Sequence, residues 1–292
     1  MNFQEFKKKF PSEPKIVEYF CNIRYGDDFK CRHCGSADIY ATYDNRKMQC
    51  PACKNTFSVF AGTIFEKSST DLKKWFYAIH LFLNGKKGIS ALQLQREIGT
   101  TYKTAWRMLR QIRLAMGNKK KKEDDDDDFM NTIIEIDETY LGGKAENKHM
   151  SERVAAKGIF EKNIVLGMLE RDKEVRGFVI DEAKRDTIMA KIFENVKIGS
   201  EIITDEHKAY YWLYSQFRHQ VVNHSKGQYK KGADAHTNSI EGFWSTLKRG
   251  VYGIYHHVSK KHLQLYVNEF AFRYNNRKNS EMFDLVLAQA VL

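Results

Sequence analysis

Two sets of side chains have types and spacings that support chemistry. The first is a set of thiols. Cys31-Arg-His-Cys34 and Cys50-Pro-Ala-Cys53 are two C-x2-C pairs separated by 15 residues. Each pair makes a tight turn that aims two thiolates at one point, and two such turns close a tetrahedral S4 site that suits Zn²⁺. With four thiolates bound, no position is open for a reacting water, so the expected role is structural. Cys21 is left over and is expected to be a buried thiol. The second set is acidic. Ile133-Ile-Glu-Ile-Asp-Glu-Thr-Tyr-Leu-Gly-Gly143 carries Asp137, and Glu201-Ile-Ile-Thr-Asp205-Glu-His207 runs apolar residues into Asp205. His236-Thr-Asn-Ser-Ile-Glu-Gly-Phe-Trp-Ser-Thr-Leu-Lys-Arg249 offers Asn238 and Glu241 three residues apart, and Lys248 seven residues after Glu241. Carboxylates held close together repel unless a divalent cation sits between them, and hard oxygen donors select Mg²⁺ or Mn²⁺. Glu135, Glu138 and Glu206 are weaker candidates for the same role.

These residues need particular elements to hold them. The acids require strands that end side by side and a helix laid across them. Runs at 132–140, 163–170, 176–181 and 201–204 have strand character, helices are expected over 185–196 and 208–217, and the chain is helical from about 237. In the helix near 238–249, Asn238, Glu241 and Lys248 share one face, while Ile240, Phe243, Trp244 and Leu247 form the opposite, buried stripe. Strands followed by strands mixed with helices make this half α/β. The cysteines belong to short strands and turns within 31–60, a module too small to hold together without metal.

Between them, apolar residues recur at helical spacing over 70–117. Residues 89–113 have a helix-turn-helix layout, with Gly99 at the turn and Thr100 or Thr101 as the second cap. On the second helix Tyr102, Lys103, Arg107, Arg110 and Arg113 are expected to tend outward, where they would meet phosphates or base edges. Lys119–Lys122, Glu123 and Asp124–Asp128 form a charge run that reads as a linker. The expected divisions are therefore 1–66 (N-terminal helix and ribbon), 67–117 (helix-turn-helix), 118–131 (linker) and 132–292 (α/β domain).

Charge points to the partner. The net charge is +11, with +14 in residues 1–122 and −3 in the rest. A basic half needs an anionic partner, and nucleic acid is the commonest. Residues 225–278 hold ten Lys/Arg and three acids, so the acidic pocket is expected to have a basic rim. Arg249, Lys260 and Lys261 join the candidate DNA contacts, and His256, His257 and His262 fit a polar surface facing DNA. No apolar run reaches the ~18 residues of a membrane span. The N-terminal MNFQEFKKKF lacks the apolar stretch of a signal peptide. A cytoplasmic, nucleoid-associated protein with no membrane partner is expected.

With these residues in view, the chain resembles the insertion-sequence DDE transposases of the ISXO-like type. The stretches that carry the resemblance are Met48-Gln-Cys-Pro-Ala-Cys53 with Thr56-Phe57-Ser58; Ile136-Asp-Glu-Thr-Tyr-Leu-Gly-Gly143; Ile203-Thr-Asp-Glu206; and His236-Thr-Asn-Ser-Ile-Glu-Gly-Phe-Trp244 through Tyr274-Asn-Asn-Arg277. The resemblance implies a zinc ribbon, a helical DNA-binding segment and an RNase H-like catalytic domain, a mixed sheet flanked by helices. It also implies Mg²⁺- or Mn²⁺-dependent cleavage and transfer of double-stranded DNA, at element ends and target, by a homo-oligomer. Asp137, Asp205 and Glu241 would be the metal ligands, with Asn238 as the other candidate for the third position and Lys248 as a phosphate anchor. A carboxylate binds a divalent ion more strongly than an amide oxygen, which favours Glu241. The rival readings are an RNase H-like nuclease that cuts without joining and a non-catalytic DNA-binding regulator.

Overall fold

The computed structural model describes residues 1–42, 46–118, 128–142, 162–222 and 235–291. The expected linker run, Tyr43 and Gly143 fall wholly or largely outside them. The chain forms two compact units, Met1–Lys120 together with Asn279–Leu292, and Lys121–Lys278.

The first unit begins with α1 (Phe3–Lys9) and α2 (Glu13–Tyr25). Asn2 and Glu5 cap α1 reciprocally, each side chain bonding backbone at the other's end of the first turn. A small antiparallel sheet follows, β1 (Tyr40–Ala41), β2 (Lys47–Gln49) and β3 (Thr56–Ser58), with Met48 paired to Phe57. Then come α3 (Leu72–Asn84), α4 (Ala91–Ile98) and α5 (Tyr102–Gly117). Gly99 adopts φ +57°, a conformation that favours glycine, and closes α4. Two residues later the Thr101 hydroxyl accepts from the Thr104 N–H and opens α5. Leu94, Ile98, Ala105, Met108, Leu109 and Ile112 are buried, which gives the expected helix-turn-helix layout.

A helix at Met282–Ala288 belongs to this unit and not to the one that precedes it in the chain. Its Phe283 ring lies 5.5 Å from Phe10 and 5.8 Å from Phe76, and Ala290 accepts from the Ile64 N–H. The sequence expectation ran the α/β domain to residue 292. The difference arises because the last apolar residues complete an aromatic core built by the first eighty.

The second unit is built on β4 (Ile133–Leu141), β5 (Asn163–Glu170) and β6 (Val175–Ile180), a meander of antiparallel strands. Helix α6 (Arg185–Asn195) leads to β7 (Glu201–Thr204), a 3₁₀ helix (Lys208–Ser215) and β8 (Arg218–Val221). The chain continues through α7 (Asn238–Gly250), a π-helical turn (Val251–Tyr255) and α8 (Lys260–Asn275). The strand order is β6-β5-β4-β7-β8, with β7 parallel to both β4 and β8. This mixed sheet flanked by helices is the expected RNase H-like arrangement.

Alternation along β4 sends side chains to two cores. Ile134 and Ile136 pack with Leu166, Met168, Ile202, Ile188 and Ile192 toward α6. Leu141 faces the other way, with Val165, Leu169, Ile240, Trp244, Leu247 and Val267 beneath α7 and α8. Glu135, Asp137 and Thr139 share the parity of Leu141, so they lie on the α7 side.

Candidate active site and metal centre

The register of two parallel strands brings the aspartates together. Ile133 pairs with Glu201, Ile134 with Ile202 and Glu135 with Ile203. Two residues further, Asp137 is level with Asp205, just past the end of β7. Ile203 packs with Ile133, on the face opposite Ile202, so Asp205 also lies on the α7 side. Asp137 feels the charge of Asp205. Burial first, then the charges of Glu138 and Asp205, push the Asp137 carboxyl up to about 7. The Asp205 carboxylate Oδ1 is steadied by the backbone N–H of His207, 3.0 Å away.

Helix α7 is fastened over these strands at two points. The Glu135 carboxylate is fully buried, and its Oε2 accepts from the backbone N–H groups of Ser239 (2.9 Å) and Ile240 (3.0 Å). A strand residue thus supplies the anion that the helix N-terminus favours. Its other oxygen accepts from Arg171 Nε at 2.8 Å, and the same guanidinium donates to the His236 carbonyl. The second fastening is at the site itself: the Trp244 indole N–H donates to Asp137 Oδ2 at 2.9 Å. The indole reaches that far because Asp137 is paired across the sheet with Gly167. A Cβ at residue 167 would meet the Trp244 ring at 2.5 Å. Sequence reading assigned Trp244 only to the buried stripe. Its donor role had no signal beyond the presence of a polar atom on a buried ring.

Glu241 sits between these two fastenings on the exposed side of α7, with the Thr237 hydroxyl donating to its Oε1 at 3.2 Å. Asn238 is exposed one turn earlier, and Lys248 is half-buried two turns later. Glu138, next to Asp137, points through the sheet to the opposite side. There it accepts from the buried Tyr210 hydroxyl at 2.5 Å and lies 3.8 Å from His207 Nδ1. Glu206 follows Asp205 and is partly buried.

The four cysteines come together as the spacing requires, their Sγ atoms all within 4.8 Å of one another. They are the only such group of His, Cys, Asp or Glu ligand atoms among the described residues. Two equivalent turns hold them. The Gly35 N–H donates to the Cys31 carbonyl, and the Cys31 N–H to that of Ser36. In the second turn Lys54 donates to Cys50, and Cys50 to Asn55. Gly35 and Lys54 occupy the same left-handed position, at φ +75° and +60°. The sulfurs of Cys31 and Cys53 are 3.7 Å apart, and those of Cys34 and Cys50 3.5 Å. A tetrahedron of ~2.3 Å Zn–S bonds has edges of about 3.8 Å, so the donor set fits zinc.

Residues 129–275 match the family model of the ISXO2-like transposase domain, and residues 11–56 match that of the transposase zinc-ribbon domain. The chain belongs to the ISXO2-like transposase family. It is 26% identical over 284 residues to an uncharacterized protein in transposable element ISH50 of Halobacterium salinarum, covering 91% of this chain and 92% of that one. An uncharacterized transposase-like protein of Haemophilus influenzae is 33% identical over 101 residues, 34% of this chain and 78% of that one. No solved structure matches.

The candidate DNA contacts of this transposase are unevenly exposed. Lys103 is exposed at the start of α5, whereas Arg107 and Arg110 are half-buried. The Arg107 guanidinium donates to the Glu66 carbonyl at 3.4 Å. Arg113 corrects an expectation: it is 3% exposed, with its guanidinium over the Phe82 ring. Its position falls on the packed face with Leu109, Ile112 and Met116, so helical geometry turns it inward. Arg249 is exposed and donates back to Ser245. Lys260 pairs with Asp181 at 2.6 Å, and Lys261 is exposed. No described helix is long and apolar enough to cross a membrane.

Proposed function

We propose that this transposase binds the ends of a mobile DNA element and catalyses divalent-metal-dependent cleavage and strand transfer. The observation that carries the reading is the register of parallel β4 and β7, which, continued two residues, sets Asp137 level with Asp205 just past the end of β7, close enough for the Asp205 charge to act on Asp137, beneath the helix that bears Glu241. Crowded carboxylates of this kind are stabilised by a hard cation, and Asp137, Asp205 and Glu241 are the residues that would hold it. When bound, Mg²⁺ or Mn²⁺ supplies activation of the attacking oxygen and neutralisation of charge on the leaving one.

The protein's own groups do the rest. Trp244 fixes the Asp137 carboxylate in one orientation and favours its ionised form. Glu135 and Arg171 fix the N-terminal turn of α7, so Asn238 and Glu241 stand on a rigid support. Lys248 lies on the same helix and would grip a phosphate beside the cut. The ribbon and α4–α5, with Lys103, Arg107 and Arg110, would position the element ends. Arg249 and Lys261 would hold the flanking duplex. Work on two ends at once calls for an oligomer assembled on DNA.

The test uses the purified full chain, Mg²⁺, and duplexes bearing the terminal sequences that flank its reading frame. Cleavage is expected with the wild type. Asp137→Asn and Asp205→Asn should each abolish it while gel-shift affinity is unchanged. A pre-cut end with a free 3′-OH should join to target DNA; cutting without joining would identify a nuclease instead. A variant lacking either aspartate that still cuts would overturn the assignment.

A further inference from the structure

A cavity of about 510 Å³ opens beyond the end of β4, on the same side of the sheet as Asp137. Its volume is in the range of sites that take small molecules. Lys162, His256 and His257 bring nitrogen donors to it, Val258 and Leu263 an aliphatic wall, and Tyr252 an aromatic ring that is 45% exposed. Among the described residues no acidic side chain lines it. Such a lining matches an anion attached to a flat, largely apolar body. The Tyr252 ring is held in place, because its hydroxyl bridges the N–H and carbonyl of Gly142 at 3.4 and 3.3 Å.

The backbone around the cavity is irregular where a straight helix would have been easy. Helix α7 passes into a π-helical turn, and His256 then adopts φ +59°, ψ −49°. π-helical turns recur at functional sites, and a non-glycine residue in this region carries strain that packing must offset. The detour presents His256 and His257 to the cavity instead of continuing the helix.

Leu141, which also lines the cavity, is four residues from Asp137 on β4, or about 13 Å at the rise of a strand. That distance is about four stacked base steps of duplex, and fewer in an unpaired strand. We propose that the cavity receives one unpaired nucleotide of the DNA strand being cut, its base against Tyr252, Val258 and Leu263 and its phosphate against Lys162 and the two histidines. The proposal rests on Asp137 and Asp205 being the cutting site. Extrahelical bases are held in this way, by a ring to stack on and donors for the backbone.

The experiment measures binding of the full chain, as Asp137→Asn so that DNA stays uncut, to three terminal duplexes. One is blunt, one ends in a single unpaired 2-aminopurine nucleotide, and one carries an abasic residue in its place. The overhang should bind about tenfold tighter than the blunt end, with quenched 2-aminopurine emission. The abasic overhang should recover only part of that gain. Tyr252→Ala, His257→Ala and the cavity-filling Val258→Trp should remove the gain and the quenching, while blunt-end affinity stays within twofold. Equal affinity for blunt and overhanging ends, or a gain that survives all three substitutions, would overturn the proposal. So would saturable binding of free deoxyadenosine monophosphate with no advantage for the overhang, which would make this a free-nucleotide site. Failure of the wild type to cut the same ends would sink the reading of the aspartates, and the 2-aminopurine signal would still judge the cavity by itself.

Discussion

Replacing Trp244 by Phe removes the donor at the centre of the site, together with the part of the ring packed over Gly167. Among the described residues, the indole N–H is the side-chain group that pulls the Asp137 carboxyl down against burial, Glu138 and Asp205. A hydrogen bond to a charged group contributes roughly 1.5–3 kcal/mol. At 1.36 kcal/mol per unit, losing it raises the Asp137 pKa further above about 7 by about one to two units. A proton and a metal ion compete for the same oxygens, and Asp137 is already half protonated at pH 7 in the wild type, so half-saturation at neutral pH should need about 5–50-fold more Mg²⁺. Loss of a group that orients a metal ligand typically has an effect of that size. The sign with pH follows. In the wild type the apparent Mg²⁺ affinity should fall as pH drops below about 7, because the protonated form of Asp137 then dominates. In Trp244→Phe the same fall should begin one to two pH units higher. The assay is end cleavage against Mg²⁺ concentration from pH 6 to 9. The reasoning is refuted if Trp244→Phe loses activity with unchanged Mg²⁺ half-saturation and an unshifted acid limb.

Further expectations concern the frame around the site. Glu135→Ala leaves the Arg171 guanidinium without its buried carboxylate, and chemical denaturation should show a loss of about 3–5 kcal/mol in the second unit. Glu135→Gln, which keeps an acceptor for the Ser239 and Ile240 N–H groups, should lose less. Gly167→Ala drives a methyl into the Trp244 ring, and calorimetry should find about 1–3 kcal/mol of destabilisation together with weaker cleavage. Removing metal from the four cysteines with a strong chelator should unfold the ribbon strands, seen as loss of amide dispersion for residues 31–58, and zinc should restore them. Arg113→Ala should lower stability of the first unit, whereas Lys103→Ala should weaken DNA binding and flatten its salt dependence with stability intact.

Much of the arrangement was legible in the sequence because it is local. The C-x2-C pairs need only two tight turns, and the apolar runs ending at Asp137 and Asp205 show their strands by composition alone. Asn163–Glu170 and Glu201–Thr204 are strands over the residues expected. What escaped depends on distant contacts. β8, Arg218-His-Gln-Val221, has no strong apolar pattern and is a strand because it pairs with β7. The region after Asp205 is 3₁₀ over Lys208–Ser215. Glu135 reads in the sequence only as a weaker candidate for the metal site, with Glu138 and Glu206; burial makes it the clamp on α7. Gly167 is a neutral position in any sequence pattern until Trp244 is seen above it. The helix at Met282–Ala288 carries nothing that tells which unit it will complete.

The most direct test is a crystal of the transposase grown with Mn²⁺ and an uncut terminal duplex, examined by anomalous scattering. A manganese peak coordinated at ~2.1 Å by oxygens of both Asp137 and Asp205 is expected, with Glu241 turned toward it. Manganese bound only elsewhere, with the two aspartates empty in the presence of DNA, would contradict the assignment of this site.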